Sequence, residues 1–127
     1  MAPQIQMTEN QNPKRYDLEE RTLEFAQRVR AFLKTLPKIQ ANIEDAKQLI
    51  RASGSVGSNY IEANESPSKK DFVMRIKICR KEAKESRYWQ RLMDTGTNAQ
   101  VDADRIELVQ ECTELMSIFG AILRKSE

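Results

Sequence analysis

The amino-acid sequence predicts an all-α protein, an antiparallel up-down-up-down four-helix bundle. Three observations carry this. Four segments of roughly 20 residues place apolar side chains at alternating four- and three-residue spacing, the period of a helix with one buried face. Breakers separate them at Pro37, at "ESPSKKD" and at "DTGTN". No stretch alternates apolar and polar residues as a half-buried strand does, and the 127 residues include only 4 Gly and 4 Pro. Short loops make successive helices antiparallel neighbours, and the length suits one domain with one core.

The first helix is expected from Asp17 to Leu36, with a stripe of Leu18, Phe25, Val29, Phe32 and Leu36 and with Thr22 filling the gap. Asp17 is placed to cap it, Glu19 and Glu20 suit the positive end of its dipole, and Pro37 ends it. The preceding residues 1–15 are polar, contain two prolines and are read as a flexible tail before a single domain over 16–127. They hold no apolar core of a secretory signal, and no run of 18 apolar residues exists, so a cytoplasmic protein without a membrane span is expected.

The second helix is expected from Lys38 to Ala63. It carries two adjacent stripes, one of Ile39, Ile43, Ala46, Ile50, Ser53, Gly57 and Tyr60, the other of Leu49, Ala52, Val56 and Asn59. Its "GSVGS" stretch is not a phosphate-binding loop, because no strand precedes it and no Lys follows it. Each mid-helix Gly costs about 1 kcal/mol relative to Ala, so two of them point to a helix kept smooth for a close neighbour. Ser53, Gly54, Gly57, Ser58 and Asn59 therefore form a candidate packing seam, with Glu62 assigned to the same polar strip.

The third helix is expected from Lys69 to Met93, with Ser66 or Ser68 as its cap and Asp71 completing a capping box with Ser68. Phe72, Ile76, Cys79, Ala83, Ser86, Gln90 and Met93 form its core face. Beside them run Ile78, Glu82, Glu85, Trp89 and Leu92. The remaining arc, about 120° wide, holds Lys69, Lys70, Lys77, Arg80, Lys81, Lys84, Arg87 and Arg91, with Tyr88 in its middle. Residues 68–93 carry nine Lys or Arg against three Asp or Glu, a net of +6, while the rest of the chain carries 12 against 16, a net of −4. Such clustered charge in a chain of net +2 is the footprint of a phosphate-binding surface. The competing reading is a solvated face, or one paired with Glu107, Glu111 and Glu114 of the fourth helix.

The fourth helix is expected from Asp102 to Arg124, with Asp102, Asp104 and Glu107 at its start and Arg124 and Lys125 at its end, as the dipole favours. Val109, Cys112, Met116, Phe119 and Leu123 form one apolar stripe; Leu108, Leu115, Ile118 and Ile122 form another. If one stripe fills the core, the second is left over, and with Trp89 and Leu92 it makes a candidate surface for self-association.

The chain contains no histidine, which removes Ser–His and Cys–His nucleophile pairs, His-based zinc sites and the Glu-x-x-His pairs of di-iron bundles. Cys79 and Cys112 fall at apolar positions and are read as reduced core thiols. Glu82 and Glu85 share a stripe with Ile78, Trp89 and Leu92, which places them in a packed seam rather than in acid–base work. "SPSK" matches S-x-x-K, but its companion motifs are absent. No catalytic group, metal site or cofactor site is expected.

Across Gln48–Met93 the chain resembles the four-helix-bundle proteins encoded in intervening sequences of 23S ribosomal RNA genes. Two elements carry the resemblance: R-A-x-x-S-V/I-x-x-N, here Arg51 to Asn59, and a K-E-A-K-E-S-x-Y-W-like run, here Lys81 to Trp89. Weaker similarity covers about residues 16–126. Many relatives have S-I-P-x-N, with Pro where this chain has Gly57. The resemblance implies a left-handed bundle and a homo-oligomer, a pentamer in this family. Accessory proteins of diversity-generating retroelements, which assist a reverse transcriptase, are similar in fold and bind nucleic acid. The expectation is a non-enzymatic, homo-oligomeric protein that binds RNA or DNA through helix three, as an accessory to a reverse transcriptase or to an rRNA-associated element. The rival is a protein-interaction module whose basic face meets acidic partners.

Overall fold

A computed structural model describes residues 13–127, with side chains from Leu18 onward. Four helices, α1 (Pro13–Leu33), α2 (Gln40–Asn64), α3 (Lys69–Leu92) and α4 (Ala99–Lys125), pack as a bundle. There is no strand among the described residues. Cross-helix contacts join the start of α1 to the end of α2 (Glu19 to Asn64), the end of α2 to the start of α3 (Asn59 to Arg75) and the end of α3 to the start of α4 (Met93 to Arg105). Neighbours are thus antiparallel. α1 closes the bundle by packing chiefly on α2 and only lightly on α4.

The first helix is described from Pro13, ahead of the expected cap, so Asp17 lies inside it. The tail reading of residues 1–15 falls outside the described residues as far as residue 12, and residues 13–15 belong to α1. At the other end the helix tightens into i→i−3 bonds from Lys34, Thr35 and Leu36 before Pro37, which disfavours a helical residue ahead of it. Its core stripe is Leu18, Phe25, Val29, Phe32 and Leu36, all buried. Thr22 is buried among them, and its hydroxyl donates to the Leu18 carbonyl at 2.8 Å.

α2 settles between the two stripes the sequence offered. It buries Asn42, Leu49, Ala52, Ser53, Val56, Tyr60 and Ala63, and leaves Ile39, Ile43 and Ile50 more than 40% exposed. Asn42 explains the register at this end. Its Nδ2 donates to the carbonyls of Pro37 (3.0 Å) and Asp94 (2.9 Å), and its Oδ1 accepts from the Asp94 N–H (3.0 Å). One side chain therefore ties the α1–α2 loop to the α3–α4 loop and turns the isoleucines outward. Gly96 in the latter loop has φ +67°, and a Cβ there would meet Pro37 Cγ at 2.8 Å, so the position requires glycine. Asn98 then caps α4, accepting from the N–H groups of Gln100 and Val101.

Ser68 is the cap of α3: its Oγ accepts from the Asp71 N–H at 3.2 Å and donates to the Asp71 carboxylate at 3.0 Å. The helix buries Ile76, Cys79, Glu82, Ala83, Ser86 and Gln90. α4 buries Val101, Leu108, Cys112, Leu115, Phe119, Gly120 and Leu123. Its two apolar stripes are thus parts of one wide inward face. Leu108 and Leu115, expected at an oligomer surface, are 3% and 0% exposed within a single chain. The reason is geometric: α4 has α3 on one side and α1 on the other and buries the arc that faces both. Tyr60 of α2 and Phe119 of α4 meet across the core with centroids 6.0 Å apart. Burying each such large side chain contributes about 1.5–3 kcal/mol.

Candidate nucleic-acid interface

The outer arc of α3 is where charge gathers. Lys69, Lys70, Lys77, Arg80, Lys81, Lys84, Tyr88 and Arg91 are all exposed, and Arg87 is half-buried, its guanidinium donating to Thr113 Oγ1 of α4 at 3.1 Å. Water screens the repulsion between the exposed cations. At the N-terminal end Lys69, Lys70 and Lys77 frame an apolar floor of Val73 and Met74.

The carboxylates of α4 do not neutralise this arc. Glu111 and Glu114 clasp Arg21 of α1, at 2.7 and 2.8 Å, and Glu107 reaches Arg28 of α1 at 4.0 Å. The fourth helix commits its acids to the lightly packed α1 seam, which holds the bundle closed. Hydrogen bonding and charge from Glu111 and Glu114 hold the Arg21 guanidinium above its ordinary pKa, and bonds from Gln110 and Arg21 hold the exposed Glu114 carboxyl below its own. The competing reading in which these three glutamates pair with helix three does not match the ion pairs they make. Among the described residues Lys69, Lys70, Lys77, Arg80, Lys84, Arg87 and Arg91 make no ion pair, and Lys81 meets only its neighbour Glu82, at 3.5 Å.

The predicted packing seam divides in two. Gly57 faces α1, where a Cβ would lie 2.8 Å from Thr22 Oγ1, and Gly54 faces Arg30. Ser53 is buried and donates to the Ile50 carbonyl; Ser58 is exposed and bonds only within its helix, to Ser55. Asn59 faces α3 instead: it donates to the Ser55 carbonyl at 2.8 Å and accepts from Arg75 at 2.9 Å. Glu62, assigned to the seam from sequence, is exposed and its side chain takes no part in it, because it lies on the outer side of α2. Glu82, 5% exposed, and Glu85 both receive Arg51, at 3.5 and 3.1 Å. A buried carboxylate held by an arginine from the next helix is a structural clamp.

Trp89 is half-buried against the core and meets Tyr88 edge-on, centroids 5.1 Å apart at 79°. Ile118 and Ile122 also pack against the core, while Leu92 stays 52% exposed. The bundle does not unite these with Leu108 and Leu115 into one outer surface. The large apolar side chains it leaves out instead include Leu23 of α1 and Ile43, Ile50 and Ile61 of α2. Both thiols are buried, and loss of water pushes Cys79 and Cys112 up to about 12.

Sequence reasoning missed Arg21, Arg51, Arg75 and Asn42. Arg51 opens one of the two recognised elements, which was a usable signal. Arg21 meets Glu111 across 90 positions, and no local pattern announces such a pair.

Known proteins share this architecture. A family model described as 23S rRNA-intervening sequence protein matches residues 14–121. A crystal structure of a protein of unknown function from the S23 ribosomal protein family of Bacteroides thetaiotaomicron superposes with a TM-score of 0.75. The two chains are 27% identical, over 87% of this chain and 98% of that one. Curated proteins yield no match.

Proposed function

The chain belongs to the 23S rRNA-intervening sequence protein family, and from the geometry of its third helix we propose that it binds nucleic acid, RNA or DNA, through the basic arc of α3. One observation carries the reading: the cations of that arc are exposed and the nearest acidic helix is turned to α1. Lysine and arginine heads left in water attract phosphates and release their counterions on contact. The absence of histidine and the burial of both thiols support a non-enzymatic role. A place beside a reverse transcriptase or an rRNA-associated element accords with this chemistry, since the first works on nucleic acid and the second is made of it.

The test is a titration of structured RNA and of single-stranded DNA at several salt concentrations. Changing Lys77, Lys81 and Lys84 together to Glu should abolish tight binding and flatten the salt slope by about three. Unchanged affinity and slope in that variant would end the proposal. Self-association is the second part of the reading. The exposed Leu23, Ile43, Ile50 and Ile61 on the α1–α2 side favour contact with another copy there, in place of the α4 surface expected from sequence.

A further inference from the structure

Tyr88 is out of place for a solvated lysine face. It is 57% exposed, and its hydroxyl makes no hydrogen bond among the described residues. One turn before it stands Lys84 and one turn after it Arg91, with Arg87 adjacent. Its ring is also held. Trp89 packs against the core and lies nearly perpendicular to that ring, 5.1 Å between centroids at 79°, so the tyrosine has a fixed neighbour while it stays 57% exposed. A braced, exposed ring between cations suits a flat π-system carrying phosphates on either side.

The surroundings choose between single and double strands. A helix enters the major groove, about 12 Å wide, only when it protrudes. α3 does not: α2 and α4 flank it, and only its outer arc is free. Against a duplex that shallow face reaches phosphates alone, and Tyr88 finds no base face, because paired bases are stacked on one another. A single strand offers both. A second apolar spot, Val73 and Met74 framed by Lys69, Lys70 and Lys77, lies about fourteen residues before Tyr88, about 21 Å along the helix. Lys77, Arg80, Lys81 and Lys84 carry charge between the two spots.

We propose that the outer face of α3 is a platform for single-stranded nucleic acid, on which Tyr88, braced by Trp89, stacks an unpaired base while Lys81, Lys84 and Arg91 hold the flanking phosphates. This rests on the nucleic-acid reading above and narrows it to one class of strand.

The experiment compares a labelled 20-nucleotide oligo-dT and oligo-U with a mixed-sequence duplex of equal length, by fluorescence anisotropy at several salt concentrations. Wild-type protein should bind the single strands at least tenfold more tightly than the duplex. Tyr88→Ala should lose about tenfold or more on single strands, little on duplex, and keep the salt slope, because stacking and phosphate contact are separate contributions. Tyr88→Phe should retain binding, since the ring face and not the hydroxyl makes the contact. Trp89 is the only tryptophan, so its emission reports on the site and should change with single strands and not with duplex. Circular dichroism melts of the exposed-site variants should match wild type. If duplex binds as tightly as single strands, or if Tyr88→Ala leaves single-strand affinity intact while the lysine reversal removes it, this inference is wrong and the broader reading stands. If no oligonucleotide binds, both fall.

Discussion

Two glycines three positions apart in α2 should respond oppositely to the same change. At Gly57 an added Cβ would lie 2.8 Å from Thr22 Oγ1 and 3.2 Å from Thr22 Cβ. Thr22 has little room to yield: it is 1% exposed, and its hydroxyl donates to the Leu18 and Glu19 carbonyls at 2.8 and 3.1 Å. The two helices must therefore part, an overpacking cost of about 2 kcal/mol. The better helix propensity of Ala returns about 1 kcal/mol. Gly57→Ala should thus destabilise by about 1 kcal/mol, lowering Tm by about 4 °C in a domain of this size. At Gly54 the nearest atom to a new Cβ is Arg30 Nη2, 3.6 Å away at the end of a flexible side chain. Gly54→Ala should stabilise by about 1 kcal/mol. Thermal and urea unfolding followed by circular dichroism measures both. Thr22→Ala should absorb part of the Gly57→Ala cost, so the double variant should be more stable than the sum of the singles by about 1 kcal/mol. Gly57→Leu, with four more carbons in the same gap, should prevent native packing. A Gly57→Ala protein as stabilised as Gly54→Ala would refute the close approach of α1 and α2.

Further outcomes follow from burial and from the exposed stripe. Cys79 and Cys112 should resist a thiol reagent at pH 8 in the folded protein and react on unfolding. Their folded pKa values are raised to about 12 from 9.0, so the folded state keeps protons that the unfolded state gives up; stability from this source is complete below pH 9 and is lost as pH rises from 9 towards 12, which urea titrations across that range will show. Light scattering should give a mass above that of one 14.7 kDa chain at micromolar concentration, and Ile50→Glu with Ile61→Glu should reduce it without unfolding the bundle. A wild-type protein that stays at 14.7 kDa overturns the proposed self-association.

Much of the fold was legible because helical periodicity is local. The stripes of α1 and α3, the Ser68 cap with Asp71 and the basic arc all depend on residues within a few turns of one another, and each stands in the structure where the spacing placed it. The arc in particular required only that one side of α3 face the core. The two-stripe helices were not legible in the same way. In α2 and α4 two adjacent stripes are equally apolar, and periodicity alone does not say which one turns inward.

What the sequence determined by itself was therefore the class of the fold, its punctuation and the segregation of charge onto α3. Only the tertiary structure decided the rotation of α2 and α4 about their own axes, because that depends on how many neighbours a helix has. Asn42 pinning two loops turned Ile39, Ile43 and Ile50 into solvent, and neighbours on both sides of α4 drew Leu108 and Leu115 into the core. The pairing of Arg21 with Glu111 and Glu114 likewise exists only once α1 and α4 are brought together. By engaging the acids of α4 elsewhere, that contact leaves the basic arc of α3 open.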